Sequence, residues 1–281
     1  MRFKPKGADS ENLAKIYSKA SNAKGTRVEI KRWVMPLVIL LLITGNGYQF
    51  LTQWVTSEEK VVYESKPMTD QQVVDRFHQI FYENGNTHWL NRWLDISTLQ
   101  NPNDAWMVQE IISEIKPDFV VEAGTYHGGS AALWAMVLEQ VNPSGRVISI
   151  DIEDRSEKAR ELPICQERVD FIIGSSTDPS IVNQVKQRTE GGTVLVILDS
   201  AHNKKHVLEE MNLYASLVSP GSYLLVQDSN VNGHPVKPDY GPGPMEALEE
   251  FLEENEGFEI DSNRERLLFT MHPRGYIKRL L

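Results

Sequence analysis

The stretch "VVEAGTYHGGSA", residues 120–131, decides how the rest of the chain is read. An apolar run reaches an acid, Glu122, and three glycines then fall within six residues: Gly124, Gly128 and Gly129. Such a segment is either a tight turn that packs a buried strand against a helix or a loop that seats a cofactor. The segments that follow it decide between the two.

Downstream, short apolar runs alternate with helical patterns. The predicted strands are 118–124, 146–152, 169–175, 193–200 and 222–229, each nearly continuous in Val, Ile, Leu or Phe. Strands buried on both faces read this way. Helical stretches lie between them at Ser130–Leu138, Asp178–Gln187 and Lys204–Leu217. The rhythm predicts an α/β, Rossmann-like fold: a mostly parallel sheet, helices on both faces, right-handed crossovers. Two closing strands, 258–261 and 267–280, bring the sheet to seven, the last one antiparallel. Upstream, Thr69 and Gln72 form a capping box for a helix whose apolar face is Val73, Val74, Phe77, Ile80 and Phe81. A second helix starts near Asn103 or Asp104. Three regions result: a basic extension at 1–60, a helical cap at 61–116 and the sheet domain at 117–281.

In an open α/β sheet, ligands bind at the carboxyl ends of the strands. Glu122, Gly124, Thr125, Gly128, Gly129 and Ser130 follow the first strand. Asp151, Ile152 and Glu153 follow the second, and Ser175, Ser176 and Asp178 the third. The loop lacks the G-x-G-x-x-G and P-loop patterns and has no Lys or Arg for a phosphate. A glycine turn beside an acid suits a ligand with positive charge and hydroxyls, such as S-adenosylmethionine. Glu122 is expected near its cationic end. Asp151, 27 residues past Gly124, is placed to accept the ribose hydroxyls.

The fourth and fifth strand ends carry a second cluster. "LDSAHNKKH" holds Asp199, His202 and His206, and "VQDSN" holds Gln227 and Asp228. Carboxylates on adjacent strand ends suit a hard divalent cation. Such a cation lowers the pKa of a bound hydroxyl, and His202 is the candidate base. His206 reads as structural, on a helix face. The segments at 60–105 and 230–244 are expected to set acceptor specificity, the second as a lid with glycine hinges.

The composition bounds the remaining possibilities. The net charge of −10 argues against a nucleic-acid partner. The single cysteine, Cys165, cannot form an internal disulfide and reads as a small core residue. Residues 1–32 hold nine Lys/Arg against three Asp/Glu, leaving 20 against 36 in the remainder. Behind this basic head, residues 33–57 carry no charge, long enough for a bilayer segment of about 20 residues. Membrane association through residues 33–55 is therefore expected. A full span would keep the basic head inside and send the body across, whereas a monotopic segment leaves the sheet domain facing the cytoplasm, so topology stays open. Homo-oligomer formation stays open.

Taken together, "VVEAGTYHGGSAALWA", "RVISIDIE", "FIIGSSTDP", "VLVILDSAHNKKHVLEEM", "YLLVQDSNVNGHPV" and "GPGPMEALEEF" resemble the cephalosporin hydroxylase / rhamnosyl O-methyltransferase family over about residues 70–281. The resemblance implies a class I methyltransferase fold, S-adenosylmethionine as donor and Mg2+ or another divalent cation. It also implies an O-methyltransferase acting on a hydroxyl of a sugar, glycolipid or other small molecule. Related sugar O-methyltransferases carry D-x-x-H and then Glu-Asp. By that match Asp199, Gln227 and Asp228 hold the cation and His202 is the base, with Gln227 a neutral departure from the pattern. Two alternatives stay open: an iron hydroxylase built on Asp199, His202 and His206, and a non-catalytic binding module.

Overall fold

The computed structural model describes residues 67–281. Helix α1 (Asp70–Glu83) is followed by a small hairpin, β1 (Arg92–Trp93) and β2 (Ile96–Ser97), and by α2 (Pro102–Ile115). The main sheet then alternates strand and helix: β3 (Phe119–Ala123), α3 (Gly129–Val141), β4 (Arg146–Asp151), short α4 (Glu157–Arg160) and α5 (Pro163–Arg168), β5 (Val169–Ile173), α6 (Pro179–Thr189), β6 (Val194–Leu198), α7 (Lys204–Tyr214) and β7 (Tyr223–Val226). Helix α8 (Pro244–Glu254), β8 (Phe258–Ile260) and β9 (Tyr276–Arg279) close it.

The seven strands run in the order β5-β4-β3-β6-β7-β9-β8. Strands β3 to β7 pair in parallel, and β9 inserts antiparallel between β7 and β8. Strand order reverses at β3, whose Val121 lies beside Ile148 of β4 and Val196 of β6. The ends of β3, β4 and β6 therefore surround the crevice where such sheets bind ligands.

Alternation along each strand divides the core in two. Val121, Ala123, Val196 and Leu224 pack against α6, α7 and α8 through Val185, Met211, Tyr214 and Phe251. Val120, Val147, Leu195 and Leu225 pack against α2, α3 and α5 through Met107, Ile111, Trp134 and Cys165. Cys165 is a core residue, its thiol pushed up to about 11 by burial. Helix α2, grouped with a cap by sequence, contributes its apolar side to this second core, with Asn101 as its N-cap.

Two expectations change. The predicted strand 267–280 forms only over Tyr276–Arg279. Its earlier part folds inward so that Thr270 and Met271 reach Asp104 of α2. Helix α1 has its predicted capping box, but Val73, Phe77 and Ile80 stay about half exposed while His78 and Tyr82 are buried. The helix is turned toward the 230–236 loop, where the His78 ring meets the Asn230 amide at 2.8 Å. The first part of the 230–244 segment is tied to its neighbours. Gln79 donates to the Pro235 carbonyl, and Asn232 and His234 contact Glu246 of α8. Burial opposes the Glu246 charge, yet these bonds and the Gly243 N–H hold its carboxyl down to about 2. No helix among the described residues is long and apolar enough to cross a membrane, and residues 33–57 lie outside that range.

Gly124 marks the tightest contact in the sheet. Its φ is +104°, and a Cβ there would sit 1.9 Å from the Asp199 carbonyl oxygen. Gly124→Ala should cost at least about 3 kcal/mol, from the clash and the backbone strain together. Thermal melting would show this as a fall of roughly 6–12 °C. A melting point within about 2 °C of the parent would contradict this placement of the β3 and β6 ends.

Candidate active site

The strand ends open into one cavity of about 550 Å3. Gly124, Thr125, Ser130, Asp151, Ile152 and Ser176 line one half, all of them expected there from sequence. Asp199, His202, Gln227 and Asp228 line the other half. The glycines of the loop divide by residue. Gly124 lines the cavity, whereas Gly128 and Gly129 serve packing. A Cβ on Gly128 would meet Ala159 at 2.7 Å, and one on Gly129 would meet the Thr98 hydroxyl at 2.1 Å. Ser175 does not line the cavity. It sits in the turn behind Ser176, 3.2 Å from the Thr177 hydroxyl.

Asp151 is held by the loop it faces. Its Oδ2 accepts from the Tyr126 backbone N–H at 2.8 Å, and Oδ1 from Glu153 N–H at 3.0 Å. A carboxylate has about four acceptor sites, so room remains for two hydroxyls. Glu122 departs from expectation. It does not line the cavity, because it falls on the α3 side of β3 with Val120. Its Oε1 accepts from Trp134 Nε1 at 3.0 Å and Oε2 from the Ser149 hydroxyl at 2.6 Å. The Ser149 hydroxyl also lies 2.7 Å from that of Thr125, so Glu122 reaches the loop through intermediaries. Burial pushes its carboxyl up to about 7, against the bonds from Ser149, Ser130 and Trp134.

The second half is a compact charge cluster. Among the described residues, Asp199, His202 and Asp228 each offer a ligand atom within 4.8 Å of the others. His202 Nε2 lies 3.2 Å from Asp228 Oδ2 and 3.5 Å from Asp199 Oδ1. Burial alone would lower the His202 pKa, but the Asp228 charge and the bond to Asp199 outweigh it and raise it to about 9. Burial raises the Asp199 carboxyl, and the Asp228 charge adds to that rise. Gln227, expected as a ligand, lines the same half, and its Oε1 accepts from Gln100 Nε2 at 3.0 Å. The same Gln100 amide lies 3.3 Å from Asp199 Oδ2. His206 stands apart. Its Nε2 is 3.3 Å from both Glu210 Oε1 and the Ser176 hydroxyl, so an Asp199–His202–His206 triad is not assembled.

Several residues in and behind the cavity wall carried no local signal in the sequence. Gln100 reaches Asp199 and Gln227 from the start of α2. Glu210 on α7 is buried and accepts from the Ser176 and Ser200 hydroxyls. At the open side stand Tyr82, His88, Trp89, Lys237 and Tyr240. Tyr82 meets Trp89 edge-on and His88 at a tilt, and Lys237 Nζ lies 5.3 Å from the Tyr82 ring centre and 5.9 Å from that of Tyr240. Both segments expected to set specificity, 60–105 and 230–244, thus supply cavity residues.

Folding raises the Glu122 pKa, so between about pH 4.5 and 7 the folded chain binds more protons than the unfolded one. Stability from this group therefore falls as pH rises through that window, by at most about 3 kcal/mol. Glu122→Gln should lose this component. Urea unfolding at pH 5 and pH 8 should show a smaller difference in the variant than in the parent, by about 1–3 kcal/mol. Identical pH dependence would contradict the assignment.

Comparison with known proteins identifies the family. Residues 86–280 match the family model described as Rhamnosyl O-methyltransferase/CmcI. The rhamnosyl O-methyltransferase of Mycobacterium bovis (strain BCG / Pasteur 1173P2) is 38% identical over 214 residues, covering 74% of this chain and 85% of that one. Its counterpart from Mycobacterium leprae (strain TN) is 38% identical over 212 residues, covering 74% and 90%. A solved structure of CmcI, titled as its D160 form with Mg and SAM, superposes with a TM-score of 0.54 at 19% identity, over 68% of this chain and 77% of that one. At that identity the likeness establishes the fold, that of a class I methyltransferase. The chain belongs to the rhamnosyl O-methyltransferase/CmcI family.

Proposed function

We propose that this protein is an S-adenosylmethionine-dependent O-methyltransferase acting on a sugar hydroxyl. One observation carries the reading: a single cavity joins the Asp151 half to the Asp199–His202–Asp228 half. A donor on the first half and an acceptor hydroxyl on the second would then meet without crossing protein. The rhamnosyl names of the curated relatives support a rhamnoside as acceptor. The aromatic wall of Tyr82, Trp89 and Tyr240 supports a sugar ring at the open side.

The chain's own residues have distinct tasks in this reaction. Asp151 accepts the ribose hydroxyls of the donor, and Gly124 lets the backbone approach it. The donor set of two carboxylates beside an imidazole fits a divalent cation, held by Asp199 and Asp228. When bound, the donor supplies the methyl group and the cation lowers the acceptor hydroxyl's pKa. His202 Nε2 takes the acceptor proton as the oxygen–methyl bond forms and the sulfur–methyl bond breaks. The neutral imidazole needed for this requires that the two carboxylates be engaged by other positive charge, because they otherwise hold His202 as a cation. Most of the acceleration is positioning. The uncharged stretch 33–57 behind a basic head supports membrane attachment, and attachment in the interface plane without a crossing would leave the sheet domain on the cytoplasmic side, with a glycolipid as acceptor.

Calorimetry tests the division of labour. Asp151→Ala should weaken S-adenosylmethionine binding at least about 100-fold, by loss of two charge-assisted bonds. Asp199→Ala should bind the donor within about threefold of the parent while turnover on octyl rhamnoside falls at least about 100-fold. Equal donor affinity in the two variants would refute the two-half site, and binding of 2-oxoglutarate alone would favour the hydroxylase. Cell fractionation addresses attachment: the full chain should sediment with membranes and a chain lacking residues 1–60 should not. A fully soluble full-length chain would end that part of the reading.

A further inference from the structure

We propose that Asp104 and His272 form a positioning pair that fixes the backbone of Asp228 and thereby sets its carboxylate in the cavity. The proposal rests on the reading of Asp228 given above. Its starting point is the Asp228 backbone, whose φ is +53°, the left-handed region that a side chain makes costly. A residue held there in a functional cavity needs neighbours that enforce it.

His272 supplies the enforcement directly. The Asp228 N–H donates to His272 Nδ1 at 3.0 Å. Nδ1 is therefore the bare acceptor nitrogen of the ring, and its proton sits on Nε2. The next residues reinforce the contact: the Ser229 hydroxyl donates to the Pro273 carbonyl at 2.7 Å, and Val226 N–H to the Gly275 carbonyl at 2.8 Å. Segment 272–275 thus runs along the end of β7 and grips it at three successive points. It can lie that close because residue 275 is glycine, where a Cβ would be 2.2 Å from the Val226 carbonyl oxygen.

Asp104 holds that segment in turn. It is 1% exposed on α2, and four groups donate to its carboxylate. Thr270 hydroxyl and Tyr276 hydroxyl reach Oδ1, while Asn101 Nδ2 and Met271 N–H reach Oδ2. Thr270 also accepts from the His272 backbone N–H at 2.9 Å, and His272 Nε2 faces Asp104 Oδ2 at 3.7 Å. A buried charge with four donors is a rigid fixture. Asp104 does not itself line the cavity, and its route to the Asp228 backbone runs through His272. The chain of contacts ends at Asp228 Oδ2, 3.2 Å from His202. With the grip removed, residue 228 can relax out of the left-handed region, and its carboxylate then leaves His202 and the place proposed for the cation.

Two substitutions of similar polarity separate positioning from general packing. The amide oxygen of Asn occupies about the place of His Nδ1, whereas that of Gln extends to the place of Nε2. In the full-length protein, His272→Gln should increase the Asp228 amide exchange rate, followed by NMR, at least about tenfold. It should also weaken Mg2+ binding in calorimetry with donor present about 10–100-fold. Turnover number on octyl rhamnoside should fall in parallel, with the donor dissociation constant within about twofold of the parent. His272→Asn should restore all three to within about threefold. The proposal is overturned if Asn and Gln behave alike, or if Gln leaves Asp228 exchange and turnover unchanged. Parent protein that binds no Mg2+ would remove the cation reading instead, and the order of Asn above Gln in amide exchange and turnover would then decide the positioning role alone.

Discussion

The site depends on how closely two strand ends can approach. Gly124 lies so near the Asp199 carbonyl that no Cβ fits between them. Because of that approach, the loop after β3 and the loop after β6 share one cavity and do not form two separate clefts. Strand order reverses at β3, so the ends of β4 and β6 flank it on either side. Asp151 is thereby placed on one side of Gly124 and Asp199 on the other. A sheet with β3 at its edge could not bring these two carboxylates to one pocket.

Around that cavity the protein treats its acidic groups in three different ways. Glu122 is surrounded by donors yet so desolvated that it holds a proton near neutral pH. Asp104 is satisfied by four donors and works as a structural anchor. Asp199 and Asp228 are left facing each other across His202, with only partial compensation. An uncompensated pair of carboxylates is costly in a stable fold, and such clusters mark functional sites. The contrast with Asp104 shows that the chain has the means to satisfy a buried carboxylate and does not apply them fully at the cavity.

Much of this was legible in the sequence because it is carried by local pattern. Continuous apolar runs fixed five parallel strands, and the residues just after them included Asp151, Ser176, Asp199, His202 and Asp228, all of which line the cavity. What was misread shares a physical cause. The facing of a residue within a strand end cannot be seen without its neighbours, so Glu122 was placed toward the ligand when it points toward Trp134. The apolar side of α1 was misjudged because its partner is a loop that takes His78 and Tyr82. Gln100, Asp104 and His272 gave no signal, since their roles arise from contacts across 99, 167 and 44 residues of sequence.

A crystal structure with S-adenosylhomocysteine and Mg2+ tests the central claim most directly. The account predicts ribose hydroxyls on the Asp151 carboxylate, the nucleoside against Gly124 and Ser176, and the cation held by Asp199 and Asp228. A nucleoside bound away from Asp151, or a cation held by other residues while Asp199 and Asp228 stay on His202, would contradict it.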